Sequence, residues 1–358
     1  MKKALSVLLL VMLTLPLLIA CGGGSAPKAP AASAPAASAP AAGSAAPAKK
    51  LTVGGAWPSV DVGFWGTNWD GFEDKMNELG HGFIQVVAGT GGADMQADQI
   101  KTLIAQKVDA IVAGVVDGSA AVAFVKEAQA AGIPVVLNNR PLQSADVIPD
   151  MAILSENEAM TYDLLTWLAE DARETKQKFN ILLMMGNPSD ENAVQRYKGH
   201  KRAIEDNSDV LSLVAEIPAT SQQVALEGVQ NSLQAYDNIN CVVCHADGLV
   251  PTICSALEQF GKLKKWGEPG YVAICSFDGS ADAMRGYVNK AVYCTAVQDS
   301  YGQGAASAEW AVRLAKGEKP AVKKEMNSGF QINYKTFEET KEKVWGWPVY
   351  LKQEEAKK

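Results

Sequence analysis

The sequence is poor in histidine and lacks the short motifs on which many hydrolytic and phosphate-transferring enzymes depend. Its 3 histidines, His81, His200 and His245, stand far apart in a chain of 358 residues. His81 follows a predicted helix and His200 lies within one, so we expect both to be solvated. The chain has no Gly-x-Ser-x-Gly motif and no phosphate-binding glycine loop. These absences argue against an enzyme.

Cysteine is also scarce, with 6 residues in the whole chain. None lies between Cys21 and Cys241, which is unlike the spacing of a disulfide scaffold. Cys241 and Cys244 form a Cys-x-x-Cys motif, but no second ligand pair follows at zinc-finger spacing. The motif falls on a predicted buried strand, where residues three apart face opposite sides. We therefore predict buried thiols, no metal site and no cofactor.

The chain has no excess of lysine and arginine over acidic residues, and it has no membrane-spanning apolar run after residue 20. The formal net charge is −7, and removal of Lys2 and Lys3 with a leader would make it −9. A chain of this charge is not expected to bind nucleic acid. No later apolar run reaches the length that is needed to cross a bilayer.

The first 21 residues have the features of a secretory signal. Lys2 and Lys3 precede an apolar run over residues 4–20, which ends in the letters LIAC at Cys21. This ending resembles the lipobox of bacterial lipoproteins, which implies that Cys21 is lipidated and becomes the first mature residue. An ordinary signal peptide and a short membrane anchor are the alternatives.

Residues 22–50 consist almost entirely of Ala, Pro, Ser and Gly, without one aromatic or branched aliphatic side chain. Such a segment cannot bury enough apolar surface to offset its ordering entropy. We expect a flexible tether that spans roughly 30 Å. One lipid chain binds a membrane weakly, so stable anchoring would need multiple acylation of the cysteine, including palmitate.

The 308 residues after Lys50 alternate short apolar runs with amphipathic segments. Strands are predicted at 51–56, 83–87, 109–116, 134–138, 179–185, 211–217, 239–244, 271–277 and 291–297. Helices are predicted at 69–79, 94–107, 119–131, 156–171, 192–205, 222–233, 251–260, 281–288 and 301–316. Two successive blocks of this kind predict an α/β fold with two Rossmann-like lobes and parallel sheets.

Ligands of open α/β sheets bind beyond the carboxyl ends of the strands, so the residues that follow each strand are the candidates. Phe64 and Trp65 follow the first strand in a predicted loop, where they either plug the core or present flat faces to a ring-shaped ligand. Asp117 follows the third strand, with capping of the next helix as its alternative role. Asn139 and Arg140 follow the fourth and suit hydroxyl recognition, although a solvated turn stays possible.

The second block offers a matching set of polar residues. Asn192 opens a predicted helix, and Asp247 follows the strand at 239–244. Asp278 and Gln298 end two strands that we expect to be neighbours. A carboxylate beside a carboxamide can discriminate strongly against ligands that lack the matching hydroxyl.

These residues lie in segments that resemble the ribose-type and xylose-type periplasmic sugar-binding proteins. The resemblance runs from about residue 51 to residue 316 and rests on four stretches in the same order: FWGTNWDGFEDKMNELG, AAGIPVVLNNR, NAVQRYKGHKRAIE and AICSFDGSADAMRGYVNKAVYCTAVQDSYGQGA. The aromatic pair that sandwiches the sugar in that family falls on Phe64 and Trp65. Its polar ligand contacts fall on Asn139, Arg140, Asn192, Asp278 and Gln298.

The resemblance implies a hinged two-lobe receptor of the type I periplasmic binding protein class. It divides the chain into a signal peptide at 1–20, a tether at 21–50, a first lobe at 51–155 plus about 299–325, and a second lobe at 156–298 plus about 326–350. The implied partners are a monosaccharide, an ABC permease and, through Cys21, the outer face of the cell membrane. We expect a monomer. A receptor that serves a chemoreceptor or sensor kinase would use the same fold and is the alternative.

Four positions depart from the family pattern and leave the identity of the ligand open. Asn139 replaces an aspartate, and Ala246 stands where an asparagine is usual before Asp247. Val194 occupies the place of an expected arginine, and the aromatic expected near Thr220 is missing. Ribose itself is therefore not favoured.

Overall fold

The computed structural model describes residues 49–61 and 63–358. Cys21, the predicted signal and most of the predicted tether lie outside these residues. Lys49 and Lys50 are exposed, and Lys49 Nζ forms an ion pair with Asp109 Oδ1 at 2.6 Å.

The described chain is an alternation of strands and helices. The first elements are β1 (Thr52–Trp57), α1 (Phe64–Glu78), β2 (Gly82–Val87), α2 (Gly92–Ala105), β3 (Ala110–Gly114), α3 (Ala121–Ala130), β4 (Val135–Asn139) and β5 (Met151–Ser155). The next are α4 (Asn157–Thr175), β6 (Phe179–Met185), α5 (Glu191–Asp206), β7 (Leu211–Pro218), α6 (Gln222–Ala235), β8 (Cys241–Cys244), α7 (Val250–Gln259), β9 (Ala273–Asp278), α8 (Ala281–Val288) and β10 (Val292–Val297). The last are α9 (Ser300–Ala315), β11 (Glu325–Asn327), β12 (Phe330–Asn333), α10 (Phe337–Thr340) and α11 (Gly346–Glu355).

The strands form two six-stranded sheets, which confirms the predicted α/β class with parallel sheets. The first sheet has the order β11-β5-β4-β3-β1-β2, and its pairings are all parallel. The second has the order β12-β10-β9-β8-β6-β7, in which only β12 runs antiparallel to its neighbour. We call the first sheet with α1–α3 and α9 the first lobe. The second sheet with α4–α8, α10 and α11 is the second lobe.

Helices cover both faces of each sheet, as expected where strands are continuous apolar runs. In the first lobe one core contains Trp57, Phe72 and Ala308 under α1 and α9, and the other lies under α2 and α3. In the second lobe Cys241 packs in the core under α4 and α5, whereas Cys244 packs on the opposite face. This confirms that the two thiols of the Cys-x-x-Cys motif face opposite sides.

The chain passes between the sheets three times. It leaves β5 for α4 at residues 155–157, returns from β10 to α9 at 297–300, and passes from β11 to β12 at 327–330. The three passages are tied to each other. Ser155 Oγ donates to Gln298 Oε1 at 2.5 Å, and the Glu156 N–H donates to the Asn327 carbonyl at 3.0 Å.

Two features of the fold before residue 317 differ from the sequence expectation. Helix α1 begins at Phe64 rather than near Trp69, because Gly63 precedes it with a φ of 143°. Strand β5 was not expected, since no helix separates it from β4 and the regular alternation is interrupted there.

Candidate ligand-binding site

A chain of buried amides and a carboxylate joins the carboxyl ends of the two sheets. Asn192 Nδ2 donates to Asn139 Oδ1 at 2.9 Å, and Asn139 Nδ2 donates to Gln298 Oε1 at 3.1 Å. Gln298 Nε2 then donates to Asp278 Oδ1 at 2.6 Å. Asn139 lies in the first lobe, whereas Asn192 and Asp278 lie in the second. The polar residues predicted from four separate strand ends and helix starts therefore meet at one place.

Two members of this chain have unusual backbone conformations. Asn139 has a φ of 65° and Asp278 a φ of 122°, values that few residues other than glycine adopt. Gly279 follows Asp278 with a φ of 82°. Such conformations cost roughly 1–3 kcal/mol each and concentrate at functional sites. Here the polar side chains at the ends of β4 and β9 both reach Gln298.

Arg196, which was not predicted from the sequence, forms an ion pair with Asp278 within the second lobe. Its Nη2 lies 3.4 Å from Asp278 Oδ1, and its Nε donates to Asn157 Oδ1 at 2.8 Å. Its guanidinium carbon stands 3.9 Å from the centre of the Phe277 ring. An arginine was expected at position 194, where the chain has valine. Arg196, one helical turn after Asn192, provides a guanidinium in this lobe instead. The spacing of four residues between Asn192 and Arg196, which puts both on one face of α5, is the signal that could have found it.

The carboxylate of Asp278 is largely buried, and its surroundings shift its pKa. Burial raises the pKa of Asp278, and the positive charge of Arg196 opposes that rise. The Asp278 side chain keeps 17% of its surface exposed and Arg196 keeps 8%. The pair therefore needs its internal hydrogen bonds, because a buried charge without partners is costly.

Arg140 makes a second bridge between the lobes. Its Nη2 lies 3.2 Å from Asp190 Oδ2 in the loop before α5, and its Nη1 donates to the Val115 and Val116 carbonyls at 3.2 Å each. Its Nε is buried without a hydrogen-bond partner in the part of the chain that is described. The guanidinium also lies over the Trp65 ring, 5.5 Å from its centre.

Phe64 and Trp65 occupy the first turn of α1, not a loop as expected. The two half-buried rings meet edge to face with centroids 5.2 Å apart. Trp65 rests on Gly114 at the end of β3, where a Cβ atom would come within 2.6 Å of the indole. Phe64 faces Trp345 of the second lobe, whose indole Nε1 donates to the Asp278 carbonyl at 3.0 Å. Both aromatics therefore belong to the edge of the first lobe that faces the second.

Comparison with known proteins identifies the family. Residues 53–319 match the periplasmic binding protein domain. The chain belongs to the periplasmic binding protein family. This family consists of substrate-binding proteins and not of enzymes, in agreement with the prediction above.

Named relatives of this periplasmic binding protein support the same assignment. A Rhizobium meliloti protein named for rhizopine binding is 28% identical over 284 residues, which span 78% of this chain and 89% of that protein. The D-xylose-binding periplasmic protein of Haemophilus influenzae is 26% identical over 293 residues, or 80% of this chain and 84% of that protein. A solved ABC transporter solute-binding protein from Bacillus halodurans, with bound myo-inositol, has a TM-score of 0.71 and 27% identity. It covers 82% of this chain and 98% of its own.

Two predicted contact residues of this periplasmic binding protein, Asp117 and Asp247, accept hydrogen bonds from its own chain. Asp117 Oδ1 accepts from the Ser119 and Ala120 N–H groups at 2.8 Å each, so it closes the turn that precedes α3. Asp247 is fully buried. Its oxygens accept from the Ser280 N–H at 2.6 Å and from Thr295 Oγ1 at 3.0 Å. Burial and the nearby Asp278 raise the pKa of Asp247 to about 7.

The histidines differ from expectation at one position. His200 is 1% exposed rather than solvated, because it lies on the same face of α5 as Asn192 and Arg196. Burial lowers the pKa of His200 to about 3. Burial and the charge of Arg196 lower the pKa of His245 to about 4. Both rings are therefore neutral at physiological pH and add no positive charge beside Arg196.

Five cysteines lie in the described residues, and all are free thiols: Cys241, Cys244, Cys254, Cys275 and Cys294. Four are buried and Cys254 is half-buried. No group of three or more metal-ligating side chains is found within residues 49–61 and 63–358. In the same residues no helix combines the length and apolar character that crossing a membrane requires.

Proposed function

We propose that this protein captures one polyhydroxylated ring, a monosaccharide or a cyclitol, between its lobes and delivers it to an ABC-type importer. The observation that carries the proposal is the chain of polar side chains from Asn192 through Asn139 and Gln298 to Asp278. It draws on both lobes and lies beside the aromatic edge of Phe64 and Trp65.

The chemistry of this cluster suits hydroxyl groups. Each amide carries both donors and an acceptor, and a hydroxyl can donate to one group while accepting from another. Asp278 adds acceptors, and Arg140 and Arg196 add donors in fixed fork geometry. A ligand that enters must replace the hydrogen bonds that these groups make to one another. One without hydroxyls cannot do so, and such sites reject the deoxygenated analogue strongly. The aromatic edge provides a flat apolar surface for the C–H face of a ring.

The names of the relatives support a polyhydroxylated ligand. The Bacillus halodurans protein, at 27% identity, was solved with myo-inositol, and two xylose-binding proteins are each 26% identical. Relatives named for ribose import have 24% identity or less. Asn139, where a carboxylate is usual, is consistent with a ligand other than ribose. Names that specify import favour a permease partner over a signalling partner.

Closure of the lobes about the three passages is the proposed capture step. In this proposal residues 51–155 with about 299–325 move as the first lobe, and residues 156–298 with about 326–350 move as the second. The contact between Asn139 and Asn192 and the pair between Arg140 and Asp190 would form on closure. The closed shape would then be the one that docks on the permease, with the binding protein as a monomer.

The N-terminal sequence supports a proposal for location. A lipid on Cys21 would hold the protein at the outer face of the membrane by the tether at residues 22–50, within reach of a permease. Metabolic labelling with a palmitate analogue tests this proposal. We expect label on the wild-type protein and none on Cys21→Ser, and label that persists in Cys21→Ser would contradict it.

A thermal-shift panel of myo-inositol, D-xylose, D-ribose, a nucleoside and an amino acid tests the ligand class. A true ligand at roughly 100 times its dissociation constant adds about 2.7 kcal/mol to stability. We expect this from myo-inositol or D-xylose, and we expect Asp278→Ala to remove it. Asp237→Ala, in an exposed turn, is the matched control. The sugar and cyclitol assignment fails if no polyol shifts the wild-type protein.

A further inference from the structure

The first lobe carries a group of lysines at the end that lies away from the ligand site. All pairings in its sheet are parallel, so its strands begin together at this end and finish at the site. Six exposed lysines lie here, and we call them the basic edge: Lys49, Lys50, Lys316, Lys319, Lys323 and Lys324. The concentration of positive charge contrasts with the formal net charge of the chain, which is −7.

Two separate segments supply these lysines, and they meet beside His81 in the turn after α1. The Leu51 N–H donates to His81 Nδ1 at 3.3 Å. Burial lowers the pKa of His81, and the charges of Lys316 and Lys50 lower it further, whereas Asp109 opposes them. The loop after α9 and the chain that enters β1 therefore form one surface.

Three carboxylates at this surface are already taken up by cations of the protein. Asp109 pairs with Lys49 at 2.6 Å, and Asp150 Oδ1 lies 3.9 Å from Lys323 Nζ. Glu318 accepts from a guanidinium of α9 at 2.9 Å. The other lysines of the basic edge form no ion pair with any described residue, which leaves their charge available to a partner: Lys50, Lys316, Lys319 and Lys324.

The end of α9 accounts for only part of this charge. Its dipole favours a lysine directly after the helix, where Lys316 stands. Lys319 and Lys324 lie farther along, in the loop that leads to β11, where the effect of the dipole has faded. Val322 in the same loop is 68% exposed, more than any other large apolar side chain of the described residues. An exposed apolar side chain among lysines suits a surface that is anionic outside and apolar beneath.

The chain that precedes Lys49 enters the fold at this same surface. Cys21 and residues 22–48 therefore connect to the first lobe on the side away from the ligand site. A coil of that length spans roughly 30 Å. It would allow the basic edge to come within the distance of about 10 Å over which the charges of a membrane act.

We propose that the basic edge docks on the anionic headgroups of the membrane that holds the lipid anchor, an inference that rests on the proposed location. One lipid chain binds a membrane only marginally, and a basic patch is a recognised second signal for stable attachment. Each lysine contributes modestly near an anionic surface. The contact is therefore reversible and leaves the protein free to dock on a permease.

Sedimentation with vesicles measures this contact without the lipid. The chain from residue 21 with Cys21→Ser keeps every described residue. We expect it to bind vesicles of equal parts phosphatidylglycerol and phosphatidylcholine at about 0.1 M salt, and to be released at about 1 M salt because ions screen the charges. Lys319→Glu combined with Lys324→Glu should weaken this binding by about tenfold or more.

Lys264→Glu combined with Lys265→Glu is the matched control. Both lysines are exposed in the loop between α7 and β9, at the opposite end of the molecule, and the change in net charge is the same. We expect the control to stay within about threefold of wild type. Equal losses in the two double variants would overturn the proposal, because net charge and not the basic edge would then govern binding.

Three other results would also overturn the proposal. They are equal binding to pure phosphatidylcholine, no binding of the wild-type edge to either vesicle, and self-association that Lys319→Glu with Lys324→Glu abolishes, which would assign the edge to a second copy of the chain. Both double variants should bind polyols as wild type does. Failure of palmitate labelling at Cys21 would contradict the proposed location alone, since these vesicles test the edge without a lipid.

Discussion

Replacement of Arg196 by methionine should expose how the site stabilises its buried carboxylate. The substitution keeps an unbranched apolar chain against Phe277 but removes the charge. Asp278 then loses its ion pair at 3.4 Å. Asn157 Oδ1 and the His245 carbonyl each lose a hydrogen bond of 2.8 Å.

The expected cost follows from these losses. Breaking one side of a buried ion pair costs about 3–5 kcal/mol. The Asp278 carboxylate keeps the donor from Gln298 and is not fully buried, so we expect the lower end, about 3 kcal/mol at pH 7. Without Arg196 the pKa of Asp278 rises further, and the protonated acid is the better tolerated form. The difference from wild type should therefore shrink as pH falls toward 4 and grow as pH rises.

Urea unfolding followed by circular dichroism measures this difference at pH 7 and at pH 4.5. Arg202→Met is the matched control, because Arg202 lies on the same helix in an exposed pair with Glu158 at 2.7 Å. Such a surface pair is worth less than about 1 kcal/mol. Arg196→Met combined with Asp278→Asn should recover much of the loss, since no unpaired charge remains. The reasoning is refuted if Arg196→Met costs no more than the control, or if the double variant is the least stable.

Three further predictions concern groups outside the polar cluster. Asp247 has a pKa of about 7 in the fold, so its contribution to stability is present below pH 4 and lost as pH rises to about 7, on the order of 4 kcal/mol. Asp247→Asn should therefore flatten the rise in urea midpoint from pH 8 to pH 5, and an unchanged slope would contradict the assigned pKa. The four buried thiols should not react with a thiol reagent at pH 8 until urea is added, and Cys254, whose pKa burial raises to about 11, should react slowly; rapid labelling of more than one thiol in the native protein would contradict the packing. Gly304→Ala would press a methyl group onto the backbone oxygen of Asn68, so it should lower the free energy of unfolding by about 3 kcal/mol or more. Ala306→Gly on the same helix should lower it by about 1 kcal/mol. Equal losses in the two variants, measured by urea unfolding, would show that α1 and α9 are not so closely packed.

Most of the fold was predictable because its signals are local. Buried parallel strands are continuous apolar runs, and the helices between them repeat with a period of 3.6 residues, so β6 and α8 were placed at the bounds that the structure has. Strand β5 was not predicted because its five residues follow β4 without an intervening helix. The start of α1 was predicted too late because Phe64 and Trp65 were expected in a loop, whereas the helix begins at Phe64, directly after Gly63.

The site was predictable where strand ends and the start of α5 supply it. The rule for parallel sheets brings Asn139, Asp278 and Gln298 together without any knowledge of tertiary contacts. Arg196 enters from the second turn of a helix, and Trp345 from a C-terminal segment that lies 67 residues after Asp278. Neither position follows from a strand, so their roles depend on packing that no local pattern reports. His200 was misjudged because the buried face of α5 carries polar residues in place of apolar ones.

Calorimetric titration of one polyol against variants from each lobe tests the central claim most directly. Asn139→Ala alters the first lobe and Asn192→Ala alters the second. The account predicts that wild type binds one polyol per chain and that each variant weakens this binding by about tenfold or more, since a buried partner loses its hydrogen bond. Full affinity in either variant would show that the lobes do not share one ligand, and would contradict the account.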